Sequence, residues 1–274
     1  MKNTKIPSPF CHFIKRFAIL DWIAVFISLG IGLFFDKLQL PDDFATSFFS
    51  EIDQPTKIIT IPYNYLCILT FGIGAFITII VWVSHQGSIN STLSKCLASY
   101  YFSICFTIFI ECGLKLIVGR PRPDSLSLCG NDGFSYQKCQ KVLDPYSLTD
   151  QFSSFPSGHA AEAMSVGVFL SLLLHKIFVS FYQANLSQAQ HQPYYIDDKS
   201  TDTFDQHHRA FFVPTLVSFA TFLPILFSIL IGFSRIWDRA HHVDDVIMGL
   251  VLGGIIGYMS FSAFNNAINE EQII

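Results

Sequence analysis

The sequence predicts an all-α protein that crosses a membrane six times and folds as one domain over residues 1–274. Hydrophobic residues make up 51% of the chain and charged residues only 14%, and the mean hydropathy is +0.43. Soluble domains usually carry about 25% charged residues, so this deficit favours a membrane protein. The net charge of −4 is modest and no basic tract is present, which argues against a nucleic-acid partner.

Six apolar stretches meet the requirement of roughly 20 residues for a helix that spans a bilayer. They cover residues 17–35, 61–83, 97–118, 160–182, 211–233 and 243–264. Six such stretches with so little charge disfavour a soluble helical bundle. In the sixth, Gly249, Gly253 and Gly257 recur every four residues, a spacing that predicts close packing against another helix. Packing within the chain is the favoured interpretation, and the sequence carries no clear signal of oligomeric state.

Three polar stretches stand at the ends of these apolar runs, in residues 115–123, 156–159 and 234–245. Six spans place both termini on one side of the membrane and all three polar stretches on the other. Before the first acidic residue the chain has four basic ones, so the positive-inside rule predicts cytoplasmic termini. These are Lys2, Lys5, Lys15 and Arg16. The polar stretches would then face the lumen or the exterior, and the plasma membrane, vacuole, Golgi and endoplasmic reticulum all fit.

The longest loop on the predicted lumenal face, residues 125–155, contains Cys129 and Cys139. In an oxidising compartment these cysteines could form a disulfide, and two unpaired loop cysteines are the alternative. The sequons at Asn90 and Asn185 fall on the predicted cytoplasmic side, so neither is expected to carry a glycan.

His241 and Asp245 lie four residues apart in the third polar stretch, so on a helix they share a face. A carboxylate beside an imidazole holds the proton on one ring nitrogen and makes the other more basic. Such a histidine can attack phosphorus or act as a base. His242 points about 100° away and is the weaker candidate. The alternative is that both histidines are interfacial residues of a short loop.

The second polar stretch predicts a helix start that can hold an anion. Ser157 is suited to cap a helix that begins near His159, and N–H groups at a helix start attract anions. Gly158 lets a ligand approach the backbone closely. His159 would stand where it can protonate a leaving oxygen. An ordinary capped helix start with a solvent-facing histidine is the alternative.

Lys115, Arg122 and Arg235 are the candidate phosphate-binding cations. Lys115 is embedded in the end of an apolar run, where an unpaired charge is costly. Arg122 lies between two prolines, and Arg235 comes from the third polar stretch. Arginine offers a planar fork to phosphate oxygens, whereas lysine offers a point charge. Arg120 and Arg239 compete for these roles, and snorkelling to anionic head groups is the alternative for each cation.

Three cations, a helix-start anion pocket and two histidines together suit in-line displacement at phosphorus through a phosphohistidine. The cations would stabilise the charge on the equatorial oxygens. No cluster of Asp and Glu with magnesium-like spacing adjoins these residues in the sequence. We therefore expect hydrolysis without a metal or another cofactor.

These motifs resemble the three-part signature of the type 2 phosphatidic acid phosphatase superfamily, in spacing and in order. Six residues separate Lys115 from Arg122-Pro123, and Pro156-Ser-Gly-His159 follows. Five residues separate Ser234-Arg235 from His241, and three more separate His241 from Asp245. Within the superfamily the sequence is most similar to eukaryotic lipid phosphate phosphatases, especially fungal diacylglycerol pyrophosphate phosphatases.

The resemblance implies that His241 is the nucleophile, that Asp245 orients it and that His159 is the general acid. It implies a phosphoryl site made by Lys115, Arg122, Ser157, Gly158 and Arg235. It also implies magnesium-independent dephosphorylation of phosphatidate, lysophosphatidate or diacylglycerol pyrophosphate in the bilayer. Ala160, where many members have serine, and Arg120, which makes an unusual Arg-Pro-Arg-Pro, depart from the pattern and leave the substrate preference open.

Other functions fit parts of this pattern. Polyisoprenyl pyrophosphates, sphingoid phosphates and sugar phosphates are alternative substrates for the same chemistry. A lipid-binding or scaffolding membrane protein with a vestigial site is the non-enzymatic alternative, although no catalytic residue is missing. Glu111 and Glu162 within apolar runs raise the further alternative of a transporter. A vanadium haloperoxidase would share the pocket, but six apolar runs disfavour that soluble architecture.

Overall fold

The computed structural model describes residues 18–38, 52–86, 91–130, 136–191 and 202–273. All regular structure in these ranges is helical, which confirms the predicted all-α fold. Phe17, Asn90 and the four basic residues near the amino terminus lie outside the described residues, as does the side chain of Asn185. The single-domain organisation over residues 1–274 stays a prediction.

Within the described ranges the structure has six long helices and three short helices. The long helices are α1 (Ile19–Asp36), α2 (Tyr63–Cys67, continued by a π-helical stretch, Ile68–Gly74, and by Ala75–Gln86), α3 (Ser91–Val118), α7 (Gly158–His191), α8 (Asp202–Trp237) and α9 (Val243–Ile273). The short helices are α4 (Ser125–Cys129), α5 (Tyr136–Cys139) and α6 (Pro145–Gln151). Each long helix contains an apolar stretch long enough to cross a membrane, which confirms six predicted spans and a multi-pass membrane protein.

The third to sixth long helices extend beyond the apolar runs that predicted them, whereas α1 and α2 begin two residues later than predicted. The third begins at Ser91 rather than at residue 97, and the fourth continues to His191 rather than ending at residue 182. Hydropathy marks only the part of a helix that lies in lipid. Backbone hydrogen bonds need no apolar side chains, so a helix can continue into water by several turns.

The central helix of the bundle is α7, which packs against α9, α8 and α3, while α3 also packs against α1. Aromatic rings fill the middle of the bundle. Phe169 of α7 meets Tyr100 of α3 and Phe261 of α9 edge to face, with ring centroids 5.5 and 5.7 Å apart. These edge-to-face contacts are a favoured arrangement for aromatic pairs and fix the three helices against one another.

The predicted glycine stripe forms the contact between α9 and α7. A methyl group on Gly249, Gly253 or Gly257 would collide with the backbone of α7 at Ser157, Ala161 or Ser165. The two backbones can approach this closely only because these residues lack a Cβ. The structure thus confirms that the stripe serves packing within the chain.

All three polar stretches lie at one end of the bundle. The end of α3, the start of α7, the end of α8 and the start of α9 meet there. The loop between α3 and α7 is held by a disulfide between Cys129 and Cys139, whose Cα atoms are 4.6 Å apart. Tyr136, Leu148 and Phe152 pack around that disulfide and give the loop a small core of its own.

Candidate active site

His241 lies buried in the turn between α8 and α9, with 4% of its surface exposed. Its Nδ1 is 2.7 Å from the backbone carbonyl oxygen of Ser154. A carbonyl oxygen only accepts, so Nδ1 must carry the proton and Nε2 keeps its lone pair. Burial lowers the pKa of His241 well below its usual 6.5, and the charges of Arg122, Arg235 and Lys115 lower this pKa further. The ring is therefore neutral at neutral pH and has one nitrogen free to attack.

Asp245 lies close to His241 but does not hydrogen-bond it, which differs from the expected pairing. Its Oδ2 is 3.9 Å from Nδ1 of His241, beyond hydrogen-bond distance. The same oxygen accepts from the Ser154 hydroxyl at 2.5 Å and from the backbone N–H and Nδ1 of His242 at 2.9 and 3.1 Å. Asp245 is the third residue of α9, and a carboxylate at that position folds back onto the residue before the helix. The Asp245 carboxylate thus hydrogen-bonds His242 and Ser154 and not His241.

Arg120 completes the surroundings of Asp245. Its Nη1 donates to Oδ1 of Asp245 at 2.7 Å and also to the carboxylate of Asp244. Sequence reasoning treated Arg120 as a competitor for phosphate, whereas the structure gives it two carboxylate partners at the start of α9. The backbone carbonyl of Arg120 accepts from the N–H of Ser154 at 3.0 Å, so the same residue also holds the segment that orients His241.

Lys115 emerges from the last turn of α3 and pairs with Glu111, one turn earlier, at 3.3 Å. Glu111 is 3% exposed, so this carboxylate offsets the cost of holding the lysine at the membrane end of the helix. The space beside Gly158 is occupied by Glu111: a Cβ on Gly158 would lie 2.8 Å from Cδ of that carboxylate. The absence of a side chain at Gly158 therefore makes room for Glu111, whereas we had expected it to make room for a ligand.

Arg122 and Arg235 each have an acidic partner that the motifs did not reveal. Arg122 donates from Nε to the backbone carbonyl of Asp150 at 2.8 Å and from Nη2 to the Asp150 carboxylate. Arg235 is 2% exposed and lies 3.2 Å from Asp238 through Nη1. Its Nε has no hydrogen-bond partner among the described residues. Carboxylates thus orient both guanidinium groups, and the buried Nε of Arg235 stays available to donate to an anion.

The start of α7 brings Ser157 and His159 to the site. Ser157 is fully buried, and its hydroxyl has no hydrogen-bond partner among the described residues. Its backbone N–H donates to the carbonyl of Asp245 at 3.0 Å, which removes one of the N–H groups expected for an anion. The next N–H groups, at Gly158 and His159, have no acceptor within the helix because they belong to its first turn.

His159 is held by the chain segment that precedes α2. Its Nε2 is 3.0 Å from the carbonyl oxygen of Ile61, and its ring meets Tyr63 edge to face with centroids 5.7 Å apart. Since the carbonyl only accepts, Nε2 carries a proton. The same carbonyl also accepts from Nη1 of Arg235 at 3.3 Å. Ile61 thus contacts both a candidate acid and a candidate phosphate ligand.

The extended segment 52–62 runs across this end of the bundle. Thr60 donates through its N–H and its hydroxyl to the carboxylate of Asp238, at 2.8 and 2.5 Å. The N–H of Gln54 donates to the carbonyl of Pro123 at 2.9 Å. The topology placed this segment on the same side as the polar stretches. No charged or histidine motif marked Thr60 or Ile61, because they act mainly through backbone groups.

Glu162 is a further buried carboxylate near the site. It is fully buried in the first turns of α7, close to the Tyr63 side chain. Its position one turn after His159 places it on the membrane side of the candidate acid. The sequence marked this residue only as a charge within an apolar run.

The comparisons with known proteins agree with the motifs. The sequence model of the PAP2 superfamily matches residues 97–269. "Lipid phosphate phosphatase 2" of Arabidopsis thaliana is 24% identical over 258 residues, which cover 92% of this chain and 78% of the relative. "Probable diacylglycerol pyrophosphate phosphatase 1" of Schizosaccharomyces pombe is 26% identical over 260 residues, 87% of this chain and 78% of the relative. "Phospholipid phosphatase 1" of Mus musculus is 24% identical over 228 residues, 76% and 70% of the two chains. No solved structure matches the chain.

Proposed function

The chain belongs to the PAP2 superfamily, and we propose that it is an integral-membrane phosphatase that hydrolyses lipid phosphates. The names of the plant, yeast and mouse relatives assign phosphatase activity on lipid phosphates or pyrophosphates to those proteins. The six apolar helices support a substrate that resides in the bilayer. Phosphatidate, lysophosphatidate and diacylglycerol pyrophosphate are the proposed substrates, with polyisoprenyl pyrophosphate or sphingoid phosphate as the second candidates.

The contact between His241 and the Ser154 carbonyl is the observation that carries this proposal. It holds the proton on Nδ1, and burial and three neighbouring cations lower the pKa of His241 and favour the neutral ring. A neutral imidazole with a free Nε2 is a nucleophile, whereas a protonated one is not. The charges of Lys115, Arg122 and Arg235 lower this pKa, which supports a phosphate site beside His241.

In the proposed mechanism Nε2 of His241 attacks phosphorus and the bond to the leaving oxygen breaks. His159, in its protonated imidazolium form, gives the proton on Nε2 to that oxygen, so its hydrogen bond to Ile61 must be exchanged for one to the leaving group. Water then attacks the phosphohistidine and gives a proton to His159, and phosphate leaves with His241 restored. Arg122, Lys115 and Arg235 would hold the equatorial oxygens, with the free Ser157 hydroxyl as a further donor.

Independence from metal ions is part of the proposal and is supported by the charges that the chain itself supplies. Lys115, Arg122 and Arg235 act electrostatically on His241, and four of the nearby carboxylates already have basic partners. Glu111 pairs with Lys115, Asp150 with Arg122, Asp238 with Arg235 and Asp245 with Arg120. Charge neutralisation in the transition state can therefore come from side chains, which is the role a magnesium ion plays in other phosphoryl-transfer enzymes.

Phosphate release from a panel of lipid phosphates, measured on the purified protein in detergent with EDTA, tests the proposal. We expect release from phosphatidate or diacylglycerol pyrophosphate by the wild-type protein and none by His241→Ala. Full activity of His241→Ala would contradict the assigned nucleophile, and a requirement for added magnesium would contradict the metal-free mechanism. Release confined to polyisoprenyl pyrophosphate or sphingoid phosphate would favour the second candidates.

A further inference from the structure

An apolar groove of about 400 Å³ lies between α2, α7 and α8. Its volume falls within the ~300–1,000 Å³ range of ligand pockets. Leu223 and Phe227 of α8 and Ile73 of α2 line it and are 59%, 53% and 47% exposed, so the groove is open along the side that would face lipid. A molecule could therefore enter it sideways from the bilayer.

The groove begins at the candidate active site. Ala163 lines it four residues after His159 on α7, and Ile231 lines it four residues before Arg235 on α8. Four residues are about one helical turn, or about 6 Å along the axis. A lipid whose phosphate is held by the cations would thus have the mouth of the groove directly beneath it.

The length of the groove matches one leaflet of a bilayer. Ala163 and Leu174 on α7 are eleven residues apart, and so are Ile231 and Ala220 on α8. At a rise of about 1.5 Å per residue, both pairs span about 16 Å. That is half of the ~30 Å thickness of the hydrocarbon core, which is the depth that one acyl chain covers.

The surface of the groove suits hydrocarbon because its hydroxyls are already bonded. Thr70 donates to the carbonyl of Leu66 at 2.9 Å, and Ser228 donates to the carbonyl of Ala163 at 2.6 Å. Four of the residues that line the groove, Leu69, Thr70, Ile73 and Gly74, belong to the π-helical stretch of α2. Such stretches occur often at functional sites.

A second apolar cavity, of about 310 Å³, lies between α1, α3 and α9 and lacks this connection. Its lining residues nearest to the site are Phe106, nine residues before Lys115, and Ile256, eleven residues after Asp245. It is therefore separated from the phosphate position by more than two helical turns on each helix.

We infer that the groove between α2, α7 and α8 holds one acyl chain of the lipid phosphate while the phosphate lies at His241. This inference rests on the proposed function. Because lipid is as apolar as the groove, occupancy adds little hydrophobic free energy. The groove would act sterically. It gives the acyl chain a path into the bilayer while the lipid headgroup lies within the protein, and its inner end limits the length of the acyl chain.

Substitution at the inner end tests the inference. Ala220→Phe on α8 and Leu174→Phe on α7 place a ring at the same depth from two helices. The substrates are dioctanoyl and dipalmitoyl phosphatidate at equal mole fractions in detergent micelles, with purified full-length protein. We expect each variant to lower kcat/KM for the long chain about tenfold, as overpacking would, and to change kcat/KM for the short chain less than about twofold.

Ala263→Phe, which places the same ring in the second cavity, is the matched control and should leave the ratio of the two kcat/KM values unchanged. An unchanged ratio in both groove variants, or a shift in Ala263→Phe alone, would overturn the inference.

A second readout does not depend on turnover. A phosphatidate analogue with a photoreactive diazirine near the end of one chain should crosslink to α8 around Ala220, also in the His241→Ala protein. Crosslinks confined to α9 around Ala263 would overturn the groove. Absence of phosphate release by the wild-type protein, together with crosslinks at Ala220, would contradict the proposed function and support the groove.

Discussion

Ser154 places the reacting nitrogen of His241 although it has no charge of its own. Its carbonyl accepts from Nδ1 of His241, its hydroxyl donates to Asp245, and its N–H donates to the carbonyl of Arg120. Asp245 therefore acts on His241 through Ser154. This arrangement separates two tasks, because the backbone selects the tautomer while the carboxylate anchors the backbone.

Ser154→Ala should lower kcat about tenfold with little change in KM, since a hydrogen bond to a buried charged group is lost and the His241 ring is held less firmly. Ser153→Ala is the matched control, because the Ser153 hydroxyl donates to the Thr149 carbonyl, outside the site. Steady-state kinetics in lipid micelles, with unfolding temperatures for both variants, checks this expectation. Equal loss of kcat in the two serine variants would contradict a positioning role for Ser154.

The pH dependence should report the lowered pKa of His241. Protonation removes the nucleophile, so kcat/KM should fall on the acid side only below pH 6.5. Removing a neighbouring positive charge in Arg122→Gln raises the pKa of His241, so the acid limb should move to higher pH. The ionisation of the substrate phosphate is the same in both profiles, so a difference in the pH of the acid limb comes from the protein. An acid limb at the same pH in both proteins would contradict the assigned nucleophile.

The residue types that carry phosphate chemistry could be predicted from their spacing, but their partners could not. His241, His159, Lys115, Arg122 and Arg235 stand in short motifs whose chemistry is evident from side chains alone. The partners that set proton positions and hold the cations are spread over residues 61–238, and some act through backbone carbonyls. They are Ile61, Glu111, Asp150, Ser154 and Asp238. Glu111 and Asp238 lie within four residues of the cations that they bind, whereas only the fold brings Ile61, Asp150 and Ser154 to the site.

The contact between α7 and α9 decides how precisely the two halves of the site meet. Gly249 lies against Ser157 and Ala160 at the start of α7, and Ser157 donates to Asp245 at the start of α9. The spacing of glycines predicted a close contact but not its partner, because spacing does not identify the opposing helix. The structure assigns it to α7, which carries His159.

Adjacent glycines in α9 offer a test of this contact. A methyl group at Gly253 would overlap the Ala161 backbone, whereas at Gly254 the nearest atom, Cγ of Met164, is 3.6 Å away. Gly253→Ala should destabilise the protein by about 1–3 kcal/mol through overpacking. Gly254→Ala should be neutral or stabilising by up to about 1 kcal/mol, because alanine is the better helix former. Thermal unfolding in detergent measures both, and equal unfolding temperatures would contradict the close backbone contact.

Apolar length predicted the six spans, but it could not predict the segments between them. The extended segment 52–62 connects all three polar stretches through Gln54, Thr60 and Ile61. These three residues contribute backbone groups and one hydroxyl, which leave no mark in hydropathy or charge. The π-helical stretch of α2 likewise has no signal in composition, because its apolar residues would fit an α-helix equally well.

The charges on the two ends of the bundle bear on its orientation. In the sequence, Lys2, Lys5, Lys15 and Arg16 all precede the first acidic residue. At the other end Lys115, Arg120, Arg122 and Arg235 each pair with a carboxylate. These four cations have local roles at the candidate site, so the amino-terminal residues carry the positive-inside signal. Cytoplasmic termini and a site that faces the lumen or the exterior stay a prediction.

The disulfide loop provides a test of that orientation, because disulfides persist in oxidising compartments. In sealed vesicles, a membrane-impermeant reductant followed by an impermeant maleimide should label the protein from the side opposite to an amino-terminal tag. Cys11 and Cys67 are first replaced by serine, because Cys67 is only partly buried and Cys11 belongs to the amino-terminal segment. Cys96, Cys105 and Cys112 are buried in α3 and should not react, so a further Cys129→Ser, Cys139→Ser double substitution is the control that should lose the label. Labelling from the side of the tag, or a glycan at the Asn90 or Asn185 sequon, would reverse the orientation and place the site toward the cytoplasm.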